Sequence, residues 1–369
     1  MLQADPVLID VTPALDALPG MTRHTILTSG APLPWPAYEG GQRRAILGAA
    51  LFEGLANSVE EADALLHAGD ILVRPCHDYG CVGSLTGVTT ASMPVLVVED
   101  SMSGSRGHCV LYEGSARERL TYGVWNEAVH QQLTWIKDVL GPALSAALRH
   151  NGGLHTSPII RRALGMGDDL HSRNTAATAV FFEQICESVL EANGFTAATR
   201  DVLNFLSRND LFFLHVAMAT GKSVATTASD TPHSSIVTAM ALSGKEFAIR
   251  TAGTGQRWFR APIPTLQAKY FDGITAEDTA YMGGESLITE TVGARRPFSG
   301  GSLFAPGLQR RISAEHGRND GGNVRHYSHR APPVEDSVSR VSWRSVRNRR
   351  GTCGFHRDHS TYPHGCRPA

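Results

Sequence analysis

At about Gly293 the chain changes character, and that change limits how much of it can build a core. Residues 294–369 hold fourteen arginines and no lysine against five acidic residues, and six histidines crowd in (His316, His326, His329, His356, His359, His364). Apolar residues are sparse there and neither helical nor strand periodicity survives, so the stretch has too little to bury to fold alone. Three readings of it are open: a basic arm for nucleic acid, a disordered extension, and translation in a shifted frame. Out-of-frame reading of GC-rich DNA yields Arg, Ser, His, Gly and Pro without Lys. The missing lysine and the scattered Cys, Trp and His favour the shifted frame. Any core must come from the first 290 or so residues.

Those residues divide into three regimes. Over 1–124 helical and strand patterns alternate. Apolar spacing predicts helices over Ala45–Ala56 and Glu60–His67. The runs DILVR (70–74), PVLVV (94–98) and HCVLY (108–112) read as buried strands. Over 125–230 the pattern is mainly helical, with helices predicted at Trp125–Arg149, Asn174–Ala192 and Asp210–Thr226. The last is apolar nearly all round and so reads as buried. Over 231–293 strands return: SIVTAM (235–240) and EFAIR (246–250) form a hairpin, QRWFR (256–260) follows, and Pro262 with Pro264 keeps the next segment extended. The expected fold class is α+β (mixed α/β): two α/β parts flank a helical middle, the second being the β-rich start of a truncated C-terminal domain. Residues 294–369 are then a disordered basic tail.

Composition excludes more than it selects. The chain has a formal net charge of −1 and 42% hydrophobic residues, which gives no electrostatic argument for nucleic acid or an anionic membrane as a partner of the whole chain. Its N-terminus carries Asp5, Asp10 and Asp16 without an early basic cluster, unlike a secretory signal. The longest apolar run, Leu211–Ala219, is too short to span a bilayer and contains His215. A soluble, cytoplasmic protein is expected. The six cysteines include no C-x-x-C pair, and Cys76, His77 and Cys81 read as buried thiols beside an ordinary histidine. No structural metal is predicted.

Four polar clusters could carry chemistry. The first is RPCH (74–77) with the Gly/Ser/Thr-rich loop up to Ser92, where backbone amides and Arg74 would meet an anion and His77 would donate a proton; its plain rival is a polar turn. The second is GDDLHSRN (167–174), at the start of a strong helix. One Asp would cap that helix, leaving His171 and Arg173 as catalytic candidates and Asn174 as a binding one, against a solvated loop. The third is SRND (207–210), where Asn209 and Asp210 open a helix whose amides favour an anion or simply need a cap. The fourth joins Arg250 to Gly253, Gly255, Arg257, Trp258 and Arg260, and Arg250 is the strongest candidate because it ends a buried-looking strand. No Walker A loop, Rossmann fingerprint, zincin helix or Ser-His-Asp order is present. From the residues alone, this is an anion-binding enzyme of mixed α and β structure.

The stretches PLPWPAYEGGQRRAILGAALFEGLA, PCHDYGCVGSLTGVTTASMPVLVVED, MGDDLHSRNTAATAVF, FLSRNDLFFLHVAMATGKS, SSIVTAMALSGKEFAIRTAGTGQRWFRAP and SLITETVG occur in that order, and together they resemble the AllG/YlbE-like family over about residues 5–293. The resemblance implies a large subunit of oxamate carbamoyltransferase, active in purine and allantoin breakdown with FdrA-like and YlbF-like partner subunits. Such an enzyme interconverts oxalurate plus phosphate with oxamate plus carbamoyl phosphate and implies small anionic substrates and no cofactor. The rival is a non-catalytic structural subunit of the same complex; a third reading is nucleic-acid binding through the arginine-rich tail. Around MGGES (282–286) the chain departs from the family pattern, which is closer to a single Gly followed by Asp. The resemblance stops where the arginine-rich stretch begins, which favours a shifted frame and a polypeptide that has lost the ancestral activity.

Overall fold

The run PVLIDVTP forms strand β1 (Pro6–Pro13), an interior strand of the main sheet that buries Leu8 and Val11. The computed structural model describes residues 3–263, 275 and 282–293. Pro264 and the arginine-rich stretch after Gly293 lie outside the described residues.

A short helix α1 (Ala14–Ala17) and strand β2 (Thr25–Thr28) follow. Helices α2 (Gly40–Phe52) and α3 (Val59–Ala68) come next. The Ser58 hydroxyl starts α3 by accepting the Glu61 amide, and Gly69, in the left-handed region, ends it. Four strands then appear: β3 (Leu72–Pro75), β4 (Cys81–Val82), β5 (Pro94–Asp100) and β6 (Arg106–Val110). The helical stretch contains α4 (Glu127–Trp135) and α5 (Gly141–Asn151), the two-residue strand β7 (Leu154–His155), and α6 (Thr156–Gly165), α7 (Thr175–Asn193), α8 (Ala197–Arg208) and α9 (Phe212–Thr226). Last come β8 (Val237–Leu242), β9 (Glu246–Thr251), β10 (Phe259–Pro262) and the single turn α10 (Ile288–Thr291).

The main sheet runs β4-β6-β5-β1-β7, with β1 antiparallel to both β5 and β7, and β4 parallel to β6. Strands β2 and β3 form a separate parallel pair, and β8, β9 and β10 an antiparallel meander. The fold is mixed, with helices and several sheets, as the sequence predicts. One predicted helix is interrupted. Across 125–149 the chain makes a π-helical turn at Ile136–Leu140 between α4 and α5. Pro142 sits in the first turn of α5 and has no N–H to give the carbonyl four residues back, so the regular ladder cannot continue through it.

Helix α9 decides where the chemistry goes. It is buried nearly all round, as its apolar sequence requires, and it packs on β6 and β5. Phe212 and Phe213 on α9 and Phe181 on α7 are fully buried together, each contributing about 2–3 kcal/mol by area. Gly107 lets β6 approach closely: a Cβ there would stand 2.2 Å from the Ser223 nitrogen and 2.3 Å from the Ala219 carbonyl oxygen. That backbone-to-backbone contact fixes the far end of α9, and hence Lys222, beside the turn that follows β3.

A candidate anion-binding site

Four elements converge on a cavity of about 180 Å³. The single turn Cys76–Tyr79 brings His77 and Asp78, α9 brings Lys222, β9 brings Arg250, and the turn after β9 brings Gln256. His77, Lys222 and Arg250 are buried, while Asp78 and the nearby Asp230 are exposed. The cationic groups therefore form the floor and the acids the rim.

Each floor group is held by specific bonds. Lys222 Nζ lies 3.3 Å from His77 Nδ1. Burial, with Lys222 and Arg250 adding repulsion, pushes the His77 pKa well below its usual value, so His77 is neutral and its Nδ1 accepts from the ammonium. Burial and then Arg250 pull Lys222 down to about 8, against the opposite pull of Glu285, Cys81 and Asp78. At neutral pH it still carries its proton, and the His77 bond uses one of its three N–H donors. Arg250 donates Nη1 to Gln256 Oε1 at 2.7 Å and Nη2 to Asp78, and its guanidinium lies 4.1 Å over the Trp258 ring. Its buried Nε has no partner among the described residues, and neither has Trp258 Nε1. A pocket floored by buried cations with spare donors suits a small anion such as a phosphate or carboxylate.

A second polar pocket lies near this one and is filled by the chain itself. The Gly-rich loop after Cys81 offers the Gly83 amide to Glu285 Oε2 at 3.0 Å, and the Gly30 amide reaches Oε1 at 3.2 Å. Glu285 is fully buried, and burial raises it to about 8 against the pull of those amides and Lys222. Beside it Cys76 Sγ donates to the Gly87 carbonyl at 3.2 Å. At neutral pH Glu285 is therefore mostly protonated, and what the loop's amides meet is a buried carboxyl side chain.

Of the residues singled out from sequence, His77 and Arg250 meet in the cavity. Arg74 is exposed on β3. In the second cluster both acids hold backbone: Asp169 Oδ1 accepts from the amides of His171, Ser172 and Arg173, and Asp168 Oδ2 accepts from Ala177 at 2.7 Å. His171 bonds Glu290 Oε1 and the Ser286 hydroxyl. Arg173 has a side chain 61% exposed, with Nε 3.9 Å from Asp169. Asn174 is buried at the start of α7 and gives Nδ2 to the His171 carbonyl at 3.4 Å. The third cluster joins the second, because Thr175 Oγ1 donates to Asp210 at 3.2 Å and Thr178 Oγ1 to the Asp210 carbonyl. Asn209 is buried and donates to the Phe205 carbonyl at 2.7 Å. These residues do not line the cavity. Sequence reasoning missed Lys222 altogether. Its one signal is a lone lysine inside the apolar helix FFLHVAMATGKSVAT, where burial needs a reason.

Comparison with known proteins then narrows the chemistry. The family described as "Oxamate carbamoyltransferase subunit AllG" matches residues 71–286, a span that includes His77, Lys222 and Arg250. The chain is 37% identical over 316 residues to the oxamate carbamoyltransferase subunit AllG of Escherichia coli (strain K12), covering 85% of this chain and 74% of that one. It is 35% identical over 293 residues to the uncharacterized protein YahG of the same organism, covering 79% and 62% respectively. A crystal structure of a conserved protein of unknown function from Enterococcus faecalis V583 superposes with a TM-score of 0.76 at 31% identity, over 85% of this chain and 77% of that one.

Proposed function

Because the chain belongs to the family of the oxamate carbamoyltransferase subunit AllG, we propose that it works as a subunit of such an enzyme and that its cationic cavity grips the anionic group at the reacting centre. In the reaction, a phosphate oxygen attacks the carbamoyl carbon of oxalurate. The bond from that carbon to the oxamate nitrogen breaks, the nitrogen takes a proton, and oxamate leaves beside carbamoyl phosphate. The reverse direction runs the same steps backwards.

The observation that carries the reading is the convergence of Lys222 and Arg250 on one buried cavity. Phosphate brings negative charge to the attack, and more gathers on the carbamoyl oxygen as the carbon becomes tetrahedral. Fixed buried donors stabilise such charge without reorganising, which is commonly the largest contribution to catalysis. Lys222 offers the spare N–H groups, and Arg250, locked by Asp78, Gln256 and Trp258, offers a rigid positive face. His77 keeps the ammonium in place. The reading rests on His77, Lys222 and Arg250 and gives no part to His171 or Arg173. By the same family reasoning, FdrA-like and YlbF-like subunits complete the assembly, and its setting is purine and allantoin breakdown. Among the described residues no helix is long and apolar enough to cross a membrane.

The test is Lys222→Met in the chain co-expressed with its partner subunits, assayed for carbamoyl phosphate formed from oxalurate and phosphate. We expect at least about a hundredfold loss of turnover with assembly intact. Normal turnover in an assembled variant would place the chemistry on another subunit and leave this chain a structural role.

A further inference from the structure

We propose that Ser286 is a nucleophilic serine, activated by His171 and oriented through Glu290, that accepts small acyl or carbamoyl groups from activated esters. This centre is separate from the cationic cavity and does not rest on the carbamoyltransferase reading. The three side chains form one line of hydrogen bonds. The Ser286 hydroxyl is 2.9 Å from His171 Nε2, and His171 Nδ1 is 2.7 Å from Glu290 Oε1. Nδ1–H donating to the carboxylate leaves Nε2 free to accept the serine proton. That division of roles, rather than any sequence order, defines a nucleophile–base–acid relay. The chain order here is His171, Ser286, Glu290, which no sequence motif announces.

Each member is held by a further contact. His171 sits in a loop whose amides at 171, 172 and 173 all donate to Asp169 Oδ1. Burial raises the Glu290 carboxyl, but the bonds from His171 and Thr289 outweigh it and hold the group below its usual value, so it stays ionised. Ser286 lies in the turn between the Gly284 bridge to Leu242 and α10. His171 and Glu290 side chains are 27% and 21% exposed, shielded yet within reach of a small molecule.

The step balances with water as the only co-reactant. The Ser286 Oγ attacks the carbonyl carbon while its proton passes to His171 Nε2. The bond to the leaving group breaks and the leaving group takes that proton. Water then attacks the acyl-serine, giving its own proton to His171, and the hydroxyl is restored as the acid leaves.

The experiment treats the full chain with a fluorophosphonate probe, maps the adduct by peptide mass spectrometry, and follows p-nitrophenyl acetate hydrolysis in parallel. We expect the adduct on Ser286, none in Ser286→Ala, and labelling at least about a hundredfold slower in His171→Gln. Glu290→Gln should fall between that variant and the wild type. Should Ser286→Ala fold poorly, Ser286→Cys replaces it. The thiol introduced by that substitution should react with iodoacetamide much faster than Cys186, a partly exposed free cysteine in the same chain that serves as the internal control. An unmodified Ser286 in folded wild type overturns the proposal, as does a His171→Gln rate equal to wild type or an introduced thiol no faster than Cys186. In those cases the three residues only pin the 282–293 segment to the loop before α7.

Discussion

Two buried polar places lie close together in this molecule, and they differ in who occupies them. At the Gly-rich loop, the amides of Gly30 and Gly83 close on the carboxyl group of Glu285, and no donor of that pair is left over. In the cavity, Lys222 spends one of its three N–H groups on His77 and Arg250 Nε has no partner among the described residues. The first arrangement is finished: its acceptor belongs to the fold and ties residue 285 to the β2 and β4 ends. The second is unfinished, and burying unmatched cationic donors costs stability that only a ligand returns. A site complete in itself is structure; one with donors to spare has room for a ligand. Removing the polar group from each should therefore move stability in opposite directions.

The largest effect is expected at the finished site. Glu285→Ala leaves two buried amides without acceptors, each costing about 1–3 kcal/mol, so a loss of about 2–6 kcal/mol should appear in urea unfolding. Glu285→Gln keeps one acceptor and should lose less. The same carboxyl gives a pH signature. Its folded pKa, near 8, is raised above the unfolded value, so its contribution to stability is fully present below about pH 4.5 and is lost as pH rises through 8. Glu285→Gln should flatten that decline between pH 4.5 and 8. An unchanged slope would mean that the carboxylate is not buried as the fold places it.

At the unfinished site Lys222→Met should do the reverse. Replacing a buried ammonium with an apolar chain of similar length is expected to leave unfolding stability unchanged or raise it by about 1–2 kcal/mol. Binding of inorganic sulfate or phosphate, measured by calorimetry, should fall at least about tenfold. If Lys222→Met destabilises the chain as Glu285→Ala does, the two places are both structural and the contrast collapses.

The contrast also explains what could be read in advance. The buried helix and the β8–β9 hairpin were legible because their periodicity and turn residues are local signals, and α9 and the hairpin fall within a residue or two of their predicted limits. Strand β1 was not: PVLIDVTP is bracketed by prolines and broken by Asp10, yet it is an interior strand of the main sheet because β5 and β7 pair with it from either side. At the site, His77 and Arg250 stood out because each neighbours glycines and other polar groups. Lys222 stands in an apolar helix, and only the crossing of α9 over β6 at Gly107 shows that it faces a cavity. Glu285 lies more than two hundred residues from the glycine whose amide it accepts, so its role belongs to tertiary structure alone.

A smaller effect, still on the unfinished site, comes from the Lys222 proton. Its pKa in the folded chain is lowered to about 8, so the ammonium is present below that pH and lost above it. Sulfate does not titrate in this range, which makes it a cleaner probe than phosphate. Its affinity should be flat from pH 6 to 7 and fall by about tenfold on reaching pH 9. In Lys222→Met this dependence should vanish, whereas Glu285→Gln should keep a fall above neutral pH. A flat profile in wild type would remove Lys222 from the binding site.

The smallest expected change is at Trp258, which touches the cavity floor at two points: Arg250 lies over its ring and the neutral His77 meets it edge-on at 5.7 Å between centroids. A buried cation–π contact is worth about 0.5–2 kcal/mol, most of it orientational here, because Asp78 and Gln256 already hold the guanidinium. Trp258→Phe keeps a ring face under Arg250, though a weaker one, and should reduce sulfate affinity only about two- to fivefold while leaving the pH midpoint near 8. Trp258→Ala removes the platform and should cost more, approaching the loss in Lys222→Met. The indole also offers a direct readout, since an anion drawn to Arg250 changes the field at the ring, and a sulfate-dependent change in fluorescence should disappear in both variants. If Trp258→Ala binds sulfate as wild type does, Arg250 is held by Asp78 and Gln256 alone, and the cavity floor reduces to Lys222 and its histidine.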